Sequence, residues 1–96
     1  MDERELYQQK QKAQLDEWKA ELDKLKAKAA GASADAKLKL NEQIKTLEGK
    51  VQDAEAKLSE LAKAGDDAWD SIKAGVDAAW NSLRSAFSDA AAQFKE

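Results

Sequence analysis

From Leu40 to Leu61 the apolar residues alternate steps of four and three without a break: Leu40, Ile44, Leu47, Val51, Ala54, Leu58, Leu61. Side chains three and four apart share one face of an α-helix, so this row is a heptad seam. A strand, with its period of two, cannot show such a row on one face. The chain must therefore contain a long helix whose apolar edge needs another helix against it. The rest of the sequence narrows the choice. Its 96 residues contain no Pro, no Cys and no His, and only 4 Gly. Turn chemistry for a sheet is scarce. Disulfides, thiolate metal sites and Cys nucleophiles are excluded, and the commonest general base is missing.

A second, weaker seam lies upstream. Leu15, Trp18, Leu22, Leu25 and Ala29 step by three and four, in a segment running from about Glu3 to Ala30. Backwards it meets Gln11 and Gln8, with Leu6 and Tyr7 off phase, so the first two turns are expected to fray or to contact something else. Gly31-Ala32-Ser33 then separates the two seams. Gly after a periodic stretch signals a helix C-cap through the left-handed conformation. Ser33 suits the next N-cap, with Asp35 in its first turn. So short a connection implies antiparallel neighbours, making residues 1–64 a helical hairpin. Gly49 falls on its outward side. Opposite charges at helical spacing (Asp16–Lys19, Glu21–Lys24, Asp23–Lys26, Asp35–Lys39, Glu42–Lys45, Asp53–Lys57, Glu60–Lys63) predict within-helix pairs on solvated faces.

From Gly65 the pattern changes. Trp69 aligns with Trp80, Val76 with Phe87, Ile72 with Leu83 and Phe94, and Lys73 with Arg84 and Lys95, at a period of eleven. The stripe Leu61, Gly65, Trp69, Ile72, Val76, Trp80, Leu83, Phe87, Ala91, Phe94 steps four, four, three. Eleven residues span three turns almost straight, whereas heptads wind left-handed. The two halves are therefore expected to want different packing geometry. Ala68, Gly75, Ala79, Ala86 and Ala90 form a small-residue flank that lets a neighbouring helix come close. Asp66, Asp70, Asp77, Asn81, Ser85, Ser88 and Gln93 take the polar side.

The junction Ala64-Gly65-Asp66-Asp67 is open to two readings. Gly then Asp reads as a C-cap followed by an N-cap. Yet the apolar stripe crosses residue 65 in phase, which permits one continuous helix of roughly 90 Å at 1.5 Å per residue. Three segments of nearly equal length favour the break. The predicted fold is thus all-α: an antiparallel coiled-coil hairpin (1–64) plus a third amphipathic helix (65–96) in the same domain, closing a three-helix bundle. The alternative joins helices two and three in a dimer.

Charge and hydropathy bear on location and partners. Acids and bases balance over residues 1–64, so the net charge of -3 falls wholly on residues 65–96. An acidic chain argues against a nucleic-acid partner, which needs clustered Lys and Arg. The opening residues lack the basic and apolar regions of a signal peptide. No window approaches the apolar length of a membrane span. A cytoplasmic protein is the expectation.

Two stretches carry a resemblance: Leu15-Asp16-Glu17-Trp18-Lys19-Ala20-Glu21-Leu22-Asp23-Lys24-Leu25-Lys26-Ala27 and Ala68-Trp69-Asp70-Ser71-Ile72-Lys73-Ala74-Gly75-Val76-Asp77-Ala78-Ala79-Trp80. With them the chain resembles small bacterial coiled-coil proteins of the stress-response type. That resemblance implies a soluble, cytoplasmic helical protein without known enzyme activity.

No phosphate-binding Gly loop, zinc spacing or Ser/His/Asp set occurs, so neither enzyme activity nor a cofactor is expected. The function predicted is helix–helix association in a structural, interaction or stress-related role. Its bearers are Trp69, Ile72, Val76, Trp80, Leu83, Phe87 and Phe94, a stripe too apolar to stay in water. The expected partner is another copy of the chain or a protein helix. The alternative is reversible binding of a lipid surface by the C-terminal amphipathic helix, against which its net acidity counts.

Overall fold

The computed structural model describes residues 2–94. Among these, helices α1 (Glu3–Ala30), α2 (Ala34–Ala62) and α3 (Asp66–Phe94) contain 28, 29 and 29 residues, and there is no strand. The helices run up, down and up. Lys19 of α1 meets Glu55 of α2, and Lys26 meets Glu48, so seven residues forward in α1 are seven back in α2. Helices α1 and α3 run parallel in constant register: Arg4 meets Asp66, Tyr7 meets Trp69, and Trp18 meets Trp80. The bundle measures 51 × 21 × 18 Å. The predicted all-α three-helix bundle is therefore present, and the chain breaks at residues 63–65 instead of continuing as one helix.

Helix starts are capped as the sequence suggests. The Asp2 carboxylate accepts the Glu5 N–H at 2.8 Å, and Ser33 Oγ accepts the Ala36 N–H at 3.4 Å. Both satisfy donors that a helix N-terminus leaves free. The helix ends differ from expectation. Gly31 has φ -91° and ψ 0°, not a left-handed conformation. The last turn of α1 instead tightens, with Gly31 N–H donating to Lys28 O at 3.2 Å and Ala32 N–H to Ala29 O at 3.1 Å. Such i to i+3 bonds satisfy the terminal carbonyls without a positive φ. The second turn repeats the device two residues before the expected Gly65. Lys63, at φ -96° and ψ -5°, caps α2. Gly65 O then opens α3 by accepting from Ala68 and Trp69. No described residue has a positive φ.

The core is one cluster drawn from all three helices. Both predicted seams are buried: Leu15, Trp18, Leu22, Leu25 and Ala29 in α1, and Ile44 to Leu61 in α2, with Leu40 partly covered. In α3 the buried stripe departs from the eleven-residue repeat. Ala90 is buried and Ala91 exposed. From Val76 the buried residues are Trp80, Leu83, Phe87, Ala90 and Phe94, alternating four and three. The reason lies in the partner. Helix α2 carries heptads and winds left-handed, so α3 must follow the same seam to stay in contact. Three successive alanines at 90–92 let the phase change at no cost in side-chain volume. Different packing geometry for the two halves is thus not what forms; α2 packs against both other helices.

The predicted within-helix charge pairs do not form. Among the described residues none of those seven pairs closes to ion-pair distance. Lys19 and Lys26 reach across to Glu55 at 3.1 Å and Glu48 at 3.7 Å instead. Both positions adjoin the seam, where an interhelical carboxylate is as near as one on the same helix. These exposed pairs each contribute about 1 kcal/mol or less; they fix register more than stability.

Gly49 and Gly75 sit inside helices, and a Cβ at either position meets nothing within 4 Å. Gly inside a helix costs about 1 kcal/mol relative to Ala. We expect Gly49→Ala and Gly75→Ala each to raise the thermal midpoint by about 4–8 °C, additively. Calorimetry checks this; an unchanged midpoint in both would contradict the open space at these positions.

Candidate functional site: the aromatic face of the third helix

Of the seven residues named from sequence, Trp69, Val76, Trp80, Leu83, Phe87 and Phe94 are buried, and Ile72 is partly buried. The fold brings all seven onto one side of α3, turned toward α1 and α2. Trp18 of α1 is the hub. Its ring stacks on Phe87 at 6.0 Å with planes 5° apart, and lies tilted against Trp80, also at 6.0 Å. Such aromatic pairs contribute about 0.5–1.5 kcal/mol beyond their buried area. The Trp80 indole N–H is buried and finds no acceptor among the described residues.

A second group closes the other end. Tyr7 meets the edge of Trp69 at 6.2 Å and 71°, and its hydroxyl donates to the Asp77 carboxylate. Lys73 Nζ lies 4.7 Å over the Tyr7 ring and 3.4 Å from Asp77. The Arg4 guanidinium lies 4.8 Å over Trp69 and 2.6 Å from Asp66. Cations over aromatic faces gain from the ring quadrupole. The first turns of α1, which the sequence left out of phase, therefore dock on α3. Asp77, assigned to the polar side, is partly covered by this contact. Sequence reasoning missed Arg4 and Tyr7 as members of the site. A signal was present: Arg4, Tyr7, Gln11, Gln14 and Trp18 step three and four, a row that runs into the hub.

Tyr7 carries the perturbed titration. Burial, then the hydrogen bond to Asp77 and that carboxylate's charge, push its phenol above the ordinary value of 10.0, with a Gln11 hydrogen bond opposing. The folded chain therefore holds this proton more tightly than the unfolded chain. Stability from Tyr7 is fully present below about pH 10, where the unfolded phenol titrates, and falls as pH rises beyond it. We expect unfolding midpoints in urea to drop more steeply above pH 10 for the wild type than for Tyr7→Phe. Below that pH the variant should lose about 0.5–1.5 kcal/mol, the worth of the hydrogen bond. Identical alkaline slopes would contradict the contact.

Among the described residues no group of three acidic side chains converges as a metal ion requires. No described helix is long and apolar enough to cross a membrane. A groove of about 570 Å³ between α1 and α2 is floored by Leu15, Leu58 and Ala62 and edged by Gln8, Lys12 and Glu55. The fold and site together define a three-helix bundle closed by an aromatic seam. Set against protein-family models, curated proteins and solved structures, the chain matches none.

Proposed function

We propose that this chain works by helix–helix association, as a non-enzymatic structural or interaction protein of the cytoplasm. The observation that carries this reading is the continuity of its apolar edge. The stripe of α2 crosses residues 63–65 in phase with that of α3, so one long amphipathic edge is folded back on itself. Such an edge is satisfied by any helix that presents a complementary heptad seam. The partner is a second copy of the chain or another protein's helix. The likeness of the stretches at 15–27 and 68–80 to bacterial stress-response coiled coils adds a role under stress.

Sedimentation of the purified chain over a wide concentration range tests this, beside flotation with neutral and anionic vesicles. The expected result is reversible growth in mass with concentration and no flotation. A monomer at all concentrations that floats with vesicles would replace association with lipid-surface binding by α3.

A further inference from the structure

We infer that the turn at residues 63–65 is a hinge, and that two copies of this chain exchange α3 by straightening it. The inference rests on the association reading above and names its partner as a second copy.

The turn contains nothing that a continuous helix would refuse. It has no Pro and no positive φ. Lys63 already lies in the right-handed helical region, at φ -96° and ψ -5°. Lys63 and Ala64 donate to the carbonyls of Glu60 and Leu61, three residues back. Helical continuation moves those bonds to the fourth residue back and brings Ala64 and Gly65, which lie outside helix, into helical conformation. The apolar stripe runs Ala54, Leu58, Leu61, Gly65, Trp69, Ile72, Val76 without losing phase, so straightening does not turn α3's aromatic face away from the seam.

A straightened chain exposes the aromatic face of α3 and the matching surface of the α1–α2 hairpin. Only one surface is complementary to both along their whole length: the same two elements in another copy. Helix α2 lies antiparallel to α3, so two straightened chains related by a two-fold axis near Gly65 place each α2 against the other's α3. Trp18 then stacks on the partner's Phe87 and Arg4 pairs with the partner's Asp66, as they do within one chain. Exchange therefore keeps every core contact, and its balance turns on the hinge residues and on concentration.

Two substitutions move that balance in opposite directions. Gly65→Ala favours the straight form, since Ala prefers a helix interior while Gly prefers a cap; the folded-back form still accepts it, because a Cβ there meets nothing within 4 Å. It should raise the dimerisation constant about five-fold per chain, roughly 25-fold for two. Asp66→Pro blocks the straight form. Residue 66 is the first of α3, where Pro is well tolerated, but in a continuous helix it would clash with the carbonyl four residues back. It gives up only the pair with Arg4, whose Asp66 side chain is 89% exposed.

The test is an intrachain distance. Glu42 and Asp89 line one groove between α2 and α3; in a straight helix they stand roughly 70 Å apart. Glu42→Cys and Asp89→Cys, spin-labelled in a chain with no other cysteine, are diluted into excess unlabelled protein and read by pulsed electron resonance. The expected result is a long-distance population that grows with concentration, grows further in Gly65→Ala and is lost in Asp66→Pro. Dimers showing only the short distance would overturn the hinge and leave association standing. So would a long-distance population unchanged by Asp66→Pro. Monomers at every concentration, Gly65→Ala included, would overturn both.

Discussion

Trp18→Ala is expected to cost the bundle about 3–5 kcal/mol, the usual loss on truncating a buried Trp. Trp18 is 7% exposed and its ring packs against both Trp80 and Phe87. Its removal leaves a cavity between two rings that are anchored on a helix α2 also holds, so neither can collapse freely into the gap. A domain of this size has roughly 5–15 kcal/mol in all, so the variant should lose a large share of its stability. Urea titration reads this as a lowered midpoint with an unchanged slope. The neighbouring Lys19→Ala, which breaks only the exposed pair with Glu55, should cost about 1 kcal/mol or less. Equal losses from the two would mean that α1 is held by its charges and not by its aromatic hub.

Val76→Asp should unfold the chain at neutral pH. Val76 is fully buried at 0% exposure, midway along the face of α3 that meets the other helices. A carboxylate there would lie within the apolar core, and nearby Lys73 is already engaged by Asp77. An unpaired buried charge costs more than about 4 kcal/mol. Burial would raise the new carboxyl's folded pKa above its unfolded value of about 3.9. The penalty is therefore full at neutral pH and shrinks toward that of a neutral acid as pH falls to the unfolded value. Circular dichroism should show the variant's deficit, relative to wild type at the same pH, narrowing on acidification. Ala74→Asp, two residues away on the exposed side, should leave the fold intact. A folded Val76→Asp at neutral pH would show that this face is not closed within the bundle.

Much of this architecture is written in spacing. The seams of α1 and α2 are legible because strict heptads admit one buried face, and Gly31-Ala32-Ser33 marks the first turn by composition. Other features are not legible for identifiable reasons. Ala90, Ala91 and Ala92 are alike in size and hydropathy, so the sequence alone does not say which one faces α2. The Arg4–Tyr7 row runs through Gln11 and Gln14, which hides its continuity with Trp18 from any apolar count. Lys19 and Lys26 each have a within-helix acid and an interhelical acid in reach, and only the packed register chooses. The turn conformations follow from how the helix ends tighten, which glycine content does not reveal.

The candidate site has the same character. The seven apolar residues of α3 stand out as an edge that must be covered, and the fold covers them with the chain's own hairpin. That coverage is what an exchange at residues 63–65 would hand to a second copy.

Trp emission of the dilute protein reads whether the aromatic face is closed, since Trp18, Trp69 and Trp80 are all buried in the core. We expect blue-shifted emission at the lowest measurable concentration, unaltered by neutral or anionic vesicles, because the chain closes its own aromatic face. Red-shifted emission that turns blue only on concentrating the protein or adding vesicles would contradict it, since α3 would then be free in solution.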